Sequence, residues 1–287
     1  MKKNLGFLST LLALVLGALP VYAGDKVVLW ERNYIRPSFY ELIELTLELT
    51  KDDYGDYQIV SSEPMEQGKA FAMLQREIAI NVIIAGTSKK RESQFNTIYY
   101  PIDRGLLGFR LCIVTEDNRL DFADINELKD FRHKEKIVGV GTHWPDRSII
   151  NDNGLRVEHS QIFEQLFKMV ELKRIDCFLR SINEIDGELE KYGSSGLADE
   201  PFLAFLYPAA DFIFIGKSDT KIAERISEGL RRAIYNGDFE RHFEKHYAHL
   251  LQKYQFYNRK LLFLKNYDMS AKAKQAINKF GIASFAD

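Results

Sequence analysis

The first part of the chain alternates short apolar runs with amphipathic runs, and this alternation constrains the fold more than any other feature. Lys26–Trp30 predicts a strand, and the leucines of Ser38–Lys51 recur on one stripe of a helix. A strand at Tyr57–Ser61, a helix at Met65–Arg76 and a buried strand at Ile80–Ala85 follow. Strands that alternate with helices in this way are typical of βαβ units and a parallel sheet.

Two long extended passages interrupt the alternation, at Gly105–Thr115 and at Pro201–Ile215. Between them the pattern of strands and helices restarts. After them come two helices, Asp219–Tyr235 and Asp238–Leu250, which Asn236-Gly237 separates as a helix stop. We therefore predict an α/β protein of two lobes, each a mainly parallel sheet flanked by helices, joined by two crossover strands.

The crossover passages define the predicted lobes. The first lobe takes residues 24–113 and 209–250, and the second takes residues 114–208. Domains of about 100–150 residues are the commonest, so both lobes have an ordinary size. Residues 251–287 are predicted to be a C-terminal appendage with a strand-like run at Lys260–Leu264, and the sequence assigns it no role.

The N-terminal segment has the features of a secretory signal peptide. Two lysines precede the apolar run Phe7–Leu19, and Pro20–Ala23 ends it. The run is shorter than the roughly 20 residues of a membrane-spanning helix, so we predict cleavage near Ala23 and a periplasmic mature chain that does not insert into the membrane. Loss of the two lysines shifts the formal net charge from −2 to about −4. A mildly acidic chain argues against a nucleic-acid partner.

The sequence contains two cysteines, Cys112 and Cys177. An oxidising compartment would allow them to form a disulfide. They fall in separate predicted strands, one of them near a crossover, where a bridge between lobes would lock the hinge. Two buried, unreactive thiols are therefore the favoured interpretation, and a disulfide is the alternative.

Four segments share their order and spacing with the motifs of one known family. They are a strand–loop–Arg segment, a strand with a Gly-Thr turn, a helix with an Asp-containing strand, and a return strand with closing helices: Ile83–Arg91, Val138–Thr142, Gln161–Leu179, and Asp211–Lys217 with Ile222–Tyr247. Over about residues 26–247 the chain thereby resembles family 3 extracellular solute-binding proteins. The resemblance implies the periplasmic binding protein type 2 fold and a receptor that delivers amino acids or similar solutes to an inner-membrane ABC permease.

In such a fold, ligands bind beyond the carboxyl ends of the strands. The candidate ligand-binding residues are therefore those that follow predicted strands: Glu31, Tyr34, Thr87, Ser88, Arg91, Thr142, His143, Trp144 and Arg180. Arg91 is the foremost, because its planar guanidinium matches a carboxylate in bidentate fashion, and the resemblance implies that role. The alternative for Arg91 is a solvated surface residue in a basic run. Arg104, beside the first crossover, is a further candidate.

Two kinds of contact are expected from the other candidates. Thr142 precedes a short predicted helix, Trp144–Asn151, whose N-terminus could bind an anion, or Thr142 could simply cap it. Tyr34 and Trp144 could lie against an apolar part of the ligand, although aromatic residues at strand ends are more often part of a core.

One departure from the family suggests the charge of the ligand. The family places a carboxylate for the ligand's ammonium group after the Asp-containing strand, where this chain has Arg180 and Ser181. An unpaired buried ammonium would be costly there. We therefore expect an anionic solute, such as a dicarboxylate or a phosphorylated compound.

Three other interpretations of the function remain open. An enzyme of the same fold, a dehydratase or lyase, could use Glu31 or His143 as a general base, although no nucleophile–base pair is visible. His242, His246 and His249 recur on one helix face and could bind zinc, or they could border the buried stripe. The chain could also signal to a membrane sensor. We expect a monomeric binding protein that is not an enzyme and has no cofactor or metal.

Overall fold

The computed structural model describes residues 24–193 and 196–285, so the predicted signal peptide lies outside the described residues. The strands form two mixed sheets flanked by helices. In chain order they are β1 (Asp25–Leu29), β2 (Tyr57–Ser61), β3 (Val82–Gly86), β4 (Asn96–Ile98), β5 (Phe109–Thr115), β6 (Ile137–Gly141), β7 (Arg156–Ser160), β8 (Cys177–Ser181), β9 (Leu197–Asp199), β10 (Leu203–Leu206), β11 (Asp211–Ile215) and β12 (Lys260–Phe263).

The helices connect these strands and cover both sheets. They are α1 (Glu31–Tyr34), α2 (Pro37–Glu48), α3 (Lys51–Tyr54), α4 (Gln67–Gln75), α5 (Lys89–Gln94), α6 (Leu128–His133), α7 (Asp146–Asp152), α8 (Phe163–Glu171), α9 (Ile185–Tyr192), α10 (Thr220–Asn236), α11 (Asp238–His246), α12 (Leu250–Lys253) and α13 (Ala271–Phe280). Within the described ranges, none of them combines the length and apolar character that a bilayer crossing requires.

The first sheet has the order β2-β1-β3-β11-β4. β1 runs parallel to β2 and β3, whereas the returning strand β11 is antiparallel to β3 and β4. All five residues of β11 are buried, which explains its almost continuous apolar sequence. On one face of the sheet α10 packs closely against α2, because Gly229 brings the α10 backbone against the carbonyl of Thr46. Gly237, at φ +81°, ends α10 as predicted.

The second sheet has the order β12-β10-β5-β8-β6-β7, with β9 also paired to β5. β6 runs parallel to β7 and β8, and β5 is antiparallel to β8 and β10. This is the two-lobed α/β architecture that the sequence predicts. The predicted boundary at residue 113 falls inside β5, which pairs entirely within the second sheet. We therefore propose that the first lobe ends before Phe109.

The C-terminal segment is an integral part of both lobes. β12 adds a parallel strand beside β10 at the edge of the second sheet. α13 then packs against the first lobe, where Ala273 and Ile277 share a buried cluster with Trp30 and Phe212. The chain therefore passes between the lobes four times rather than the predicted two, and the term appendage does not describe residues 251–285.

The favoured reading of the two cysteines as free thiols is wrong. Cys112 and Cys177 form a disulfide between the neighbouring antiparallel strands β5 and β8. Both strands belong to the second sheet, so the bridge lies within one lobe and does not cross the hinge.

Candidate functional site

A cleft of about 810 Å³ separates the two lobes at the carboxyl ends of their parallel strands. Its first wall comes from residues that follow β1 and β3 and from the segment before α4. Its second wall comes from the start of α7, the start of α8, and the region from β8 into α9. A crevice of this volume, lined by both lobes, has the size and position of a small-molecule site.

Arg91 lies in this cleft and is 7% exposed. Its guanidinium donates hydrogen bonds to the Gly86 carbonyl, to Gln67 Oε1 at 2.6 Å and to the His143 carbonyl of the second lobe at 2.9 Å. It also lies 4.1 Å from the ring centroid of Phe71. Burial lowers the pKa of Arg91 to about 10, so it remains charged at neutral pH. Among the described residues it has no carboxylate within ion-pair distance.

Two further arginines of the first lobe reach across the cleft. Arg36, which precedes α2, donates a 2.6 Å hydrogen bond to the Asn183 carbonyl. Arg32 pairs with Glu66 of its own lobe at 2.8 Å and approaches Glu164 of the second lobe at 3.7 Å. Arg36 also lies 3.9 Å from the Glu184 carboxylate. The first wall thus presents positive groups that contact both backbone oxygens and carboxylates of the opposite wall.

The second wall contains a buried arginine near the start of an apolar strand. Arg110 of β5 is 2% exposed and pairs with Asp146 at 2.7 Å and with Glu184 at 3.5 Å. Tyr207 donates its hydroxyl hydrogen to the same Asp146 carboxylate. Asp146 is the first residue of α7, so a carboxylate already occupies the N-terminus of that helix.

Arg180 is held by two carboxylates that follow it in sequence. Its guanidinium binds Glu188 in bidentate fashion, at 2.7 and 2.5 Å, and lies 3.1 Å from Glu184. Burial on its own would lower the pKa of Arg180, but the charges of Glu184 and Glu188 raise it above its ordinary value. The guanidinium also stacks 4.5 Å from the ring centroid of Trp144. The positive charge that suggested an anionic ligand is therefore neutralised within the second lobe.

Two buried aspartates link the segments that lead into and out of the second lobe. Asp103, in the first crossover, accepts hydrogen bonds from the backbone N–H groups of Leu107 at 2.6 Å and Asp211 at 3.1 Å. Burial raises the pKa of Asp103 to about 6. Burial and then the charge of Asp103 raise the pKa of Asp211 well above its usual range. Asp211 lines the cleft.

The structure distributes the nine predicted residues between three environments. Glu31, Arg91, Trp144 and Arg180 line the cleft. Thr142 and His143 line a much smaller adjoining pocket, together with Trp144. Tyr34, Thr87 and Ser88 line neither pocket.

The residues outside the cleft have partners of their own. Thr142 does not precede the helix directly, because α7 begins at Asp146, and its hydroxyl lies 3.0 Å from His159 Nδ1. The His143 ring packs over Gly68 of the opposite lobe. Thr87 donates to Glu92 at 3.0 Å, and Ser88 caps α5 by accepting the N–H of Arg91.

One aromatic candidate and one basic candidate also face away from the cleft. The Tyr34 ring packs edge-on against Tyr40, with centroids 5.2 Å apart. Arg104 pairs with Glu240 on α11 and lies 4.7 Å from the Phe243 ring centroid. Both side chains therefore contribute to the packing of the first lobe.

Sequence reasoning missed several charged residues of the cleft: Arg36, Arg110, Asp146, Glu184, Glu188 and Asp211. One signal was available, because Arg110 interrupts the apolar run of β5, and a buried charge of this kind requires a partner. The identity of that partner was not available, since Asp146 and Glu184 lie far along the chain and in different elements.

Solved structures of other proteins share this architecture. No protein-family model and no curated protein sequence matches the chain. Among solved structures, it is similar to the amino acid ABC transporter substrate-binding protein AbpA from Streptococcus pneumoniae bound to L-arginine, with a TM-score of 0.57 and 13% identity, over 82% of this chain and 97% of that one. The arginine-, lysine-, histidine-binding protein ArtJ from Geobacillus stearothermophilus matches with a TM-score of 0.56 and 12% identity, over 80% and 100%.

The same fold occurs in another ligand-binding core. The GluR0 ligand-binding core from Nostoc punctiforme, in complex with L-glutamate, matches with a TM-score of 0.54 and 12% identity, over 78% of this chain and 99% of that one. The chain therefore has the two-lobed fold of amino-acid-binding proteins, and its sequence is far removed from theirs.

Proposed function

We propose that the chain is an exported solute-binding protein that closes its two lobes around a small polar solute. The observation that carries the proposal is Arg91, a buried guanidinium that lines the cleft without a carboxylate partner among the described residues. A ligand carboxylate would supply the missing counter-charge, and an Arg–carboxylate pair is among the stronger polar contacts in proteins. The fold and the amino-acid ligands of the structural neighbours support this role.

The charge balance of the cleft favours a zwitterion over the dianion expected from the sequence. The lining contains six basic side chains, Arg32, Arg36, Arg91, Arg110, Arg180 and Lys191, and seven acidic ones, Glu31, Glu66, Asp146, Glu164, Glu184, Glu188 and Asp211. The two signs are therefore nearly equal in number, with one acidic side chain more than the basic ones. A cleft without surplus positive charge has no electrostatic reason to prefer a dianion.

A second group is available for the ammonium of such a ligand. Glu31 follows β1, lines the cleft and has no salt bridge among the described residues. We therefore assign the ligand carboxylate to Arg91 and its ammonium group to Glu31, both on the first lobe. Closure of the second lobe would then bring Trp144 and Arg180 over the ligand.

The structural neighbours include an amino acid ABC transporter substrate-binding protein and the GluR0 ligand-binding core. We propose an inner-membrane ABC permease as the partner of this chain, with a membrane sensor as the alternative. Binding to a permease requires that the closed, liganded form be distinguishable from the open one. Permease and ATPase genes beside its gene would favour transport, whereas a sensor gene would favour signalling.

The experiment is a thermal-shift screen of the mature chain after its ligand has been removed by unfolding and refolding. We expect an amino acid at 100 times its dissociation constant to stabilise the folded state by about 2.7 kcal/mol. For a chain of this size, that corresponds to a rise of about 5–10 °C in Tm. The deaminated acid of the same side chain should stabilise less. Stabilisation by dicarboxylates or phosphorylated compounds alone would contradict the zwitterion assignment.

A matched pair of variants tests the role of Glu31 in ligand binding. Glu31→Gln should weaken binding of the amino acid and leave binding of the deaminated acid unchanged, because only the former presents an ammonium group. Glu63→Gln is the control, since Glu63 is an exposed glutamate of the same lobe outside the cleft. Equal effects of the two substitutions, measured by calorimetry, would remove Glu31 from the site.

A further inference from the structure

A cluster of metal-binding side chains lies on the first lobe, outside the cleft, where α2 packs against α11. Glu41 comes from α2, and His242 and His246 come from α11. The two histidines are four residues apart on one helix, so they project from the same face, one turn apart. Their ring centroids are separated by 4.7 Å.

The three side chains converge on one point. Each offers one ligand atom, and these atoms lie within 4.8 Å of one another. Ligand atoms on a tetrahedral zinc ion are about 3.3 Å apart, given metal–ligand distances near 2.0–2.1 Å. Small side-chain rotations would close that difference. His249, the third histidine of the row predicted from the sequence, is not part of the group and is exposed.

A second, independent observation points to a missing ligand. His242 is 7% exposed, and its Nε2 atom is buried without a hydrogen-bond partner among the described residues. A buried polar atom that lacks a partner costs free energy, and native proteins rarely leave one unexplained. A metal ion bound by this nitrogen would remove the cost.

Two nitrogen atoms now hold the Glu41 carboxylate. Glu41 Oε2 lies 2.7 Å from His246 Nε2 and 2.7 Å from Lys245 Nζ. The Lys245 side chain is 62% exposed and can move into solvent without loss of packing. A divalent ion would replace the lysine ammonium as the counter-charge of the carboxylate.

We propose that Glu41, His242 and His246 bind one divalent transition-metal ion, with zinc as the best fit, and leave the fourth position to water. Two imidazoles and a carboxylate are zinc ligands, whereas calcium and magnesium prefer oxygen ligands alone. The ion would link α2 to α11 and thereby stabilise the first lobe. The site is separate from the cleft and does not depend on the proposed function.

The test is calorimetric titration of zinc chloride into the untagged, chelator-treated mature chain. We expect one equivalent of zinc to bind, with no measurable binding of calcium or magnesium. Glu41→Gln and His246→Ala should each lower the zinc affinity at least tenfold while circular dichroism shows an unchanged fold. These two variants carry the test, because His242 is buried and its replacement could disturb folding.

Two control variants separate this site from adventitious binding to surface histidines. His249→Ala, on an exposed histidine of the same row, should leave the zinc affinity unchanged. Lys245→Ala should raise the affinity severalfold, because it removes the competing ammonium group. The proposal is overturned if no equivalent of zinc binds at about 100 μM, if Glu41→Gln and His246→Ala leave the affinity unchanged, or if His249→Ala lowers it as much as they do.

Discussion

In the second lobe, Arg110 and Arg180 face carboxylates of their own lobe, whereas in the first lobe Arg36 and Arg91 donate hydrogen bonds to backbone carbonyls of the second lobe. The desolvation of a buried charge is expensive unless the charge is paired. The second wall therefore meets this cost internally, in the open state as well as the closed one. The first wall meets this cost partly by contact with the second wall, and Arg91 has only neutral oxygen atoms as partners, so a ligand carboxylate would complete its pairing.

This difference suggests that the two walls have different roles in ligand binding. The second wall is a pre-organised surface, in which Glu184 and Glu188 fix Arg180 beneath Trp144. The first wall carries Arg91 and Glu31, which lack ion-pair partners among the described residues and are available to a solute. Differential contact between the open and closed states is what allows a ligand to shift the equilibrium towards closure.

The largest effect should follow from removal of Arg110. Arg110→Ala leaves the buried Asp146 carboxylate without its arginine partner, so we expect a loss of about 3–5 kcal/mol in the free energy of unfolding. Arg36→Ala is the comparison from the other wall. Arg36 donates its hydrogen bond to a neutral carbonyl and approaches Glu184 only at 3.9 Å, so we expect a loss of about 1–2 kcal/mol. Chemical denaturation measures both, and equal losses would contradict the contrast between the walls.

Removal of the disulfide offers a second way to distinguish the stability of the two lobes. Replacement of both Cys112 and Cys177 by serine should lower the free energy of unfolding by about 2–4 kcal/mol, because the bridge constrains the unfolded chain. Hydrogen exchange should show the loss of protection in β5 and β8 of the second sheet. Ligand affinity should be retained, since neither cysteine lines the cleft. A loss of protection centred on the first sheet would show that the lobes do not unfold separately.

The smallest effect concerns binding rather than folding. Arg91→Ala should weaken ligand binding by about 1.5–3 kcal/mol, the range for hydrogen bonds to charged groups. This corresponds to a roughly 10- to 150-fold rise in Kd. Arg76→Ala is the control, because Arg76 is an exposed arginine of the same lobe outside the cleft. Unchanged affinity in calorimetry would exclude Arg91 from the site.

Much of the fold could be predicted because its signals are local. Tyr57–Ser61 was predicted as a strand and forms β2 with the same bounds, and Gly237 ends α10 where the sequence places a helix stop. Both depend on a few neighbouring residues, on an alternating pattern or on the conformational freedom of glycine. The site was predicted less well. Arg91 and Glu31 lie in the cleft as expected from their positions after strands, but Tyr34 and Thr87 do not.

By itself, the sequence determined the alternation of strands and helices and the two lobes, because periodicity and helix stops act over a few residues. The tertiary structure alone decided which charges meet and how the tail runs. Arg110 and Asp146, Cys112 and Cys177, and β10 and β12 are partners separated by long stretches of chain. Such pairs form only when the path of the whole chain brings them together, and no local pattern encodes that path.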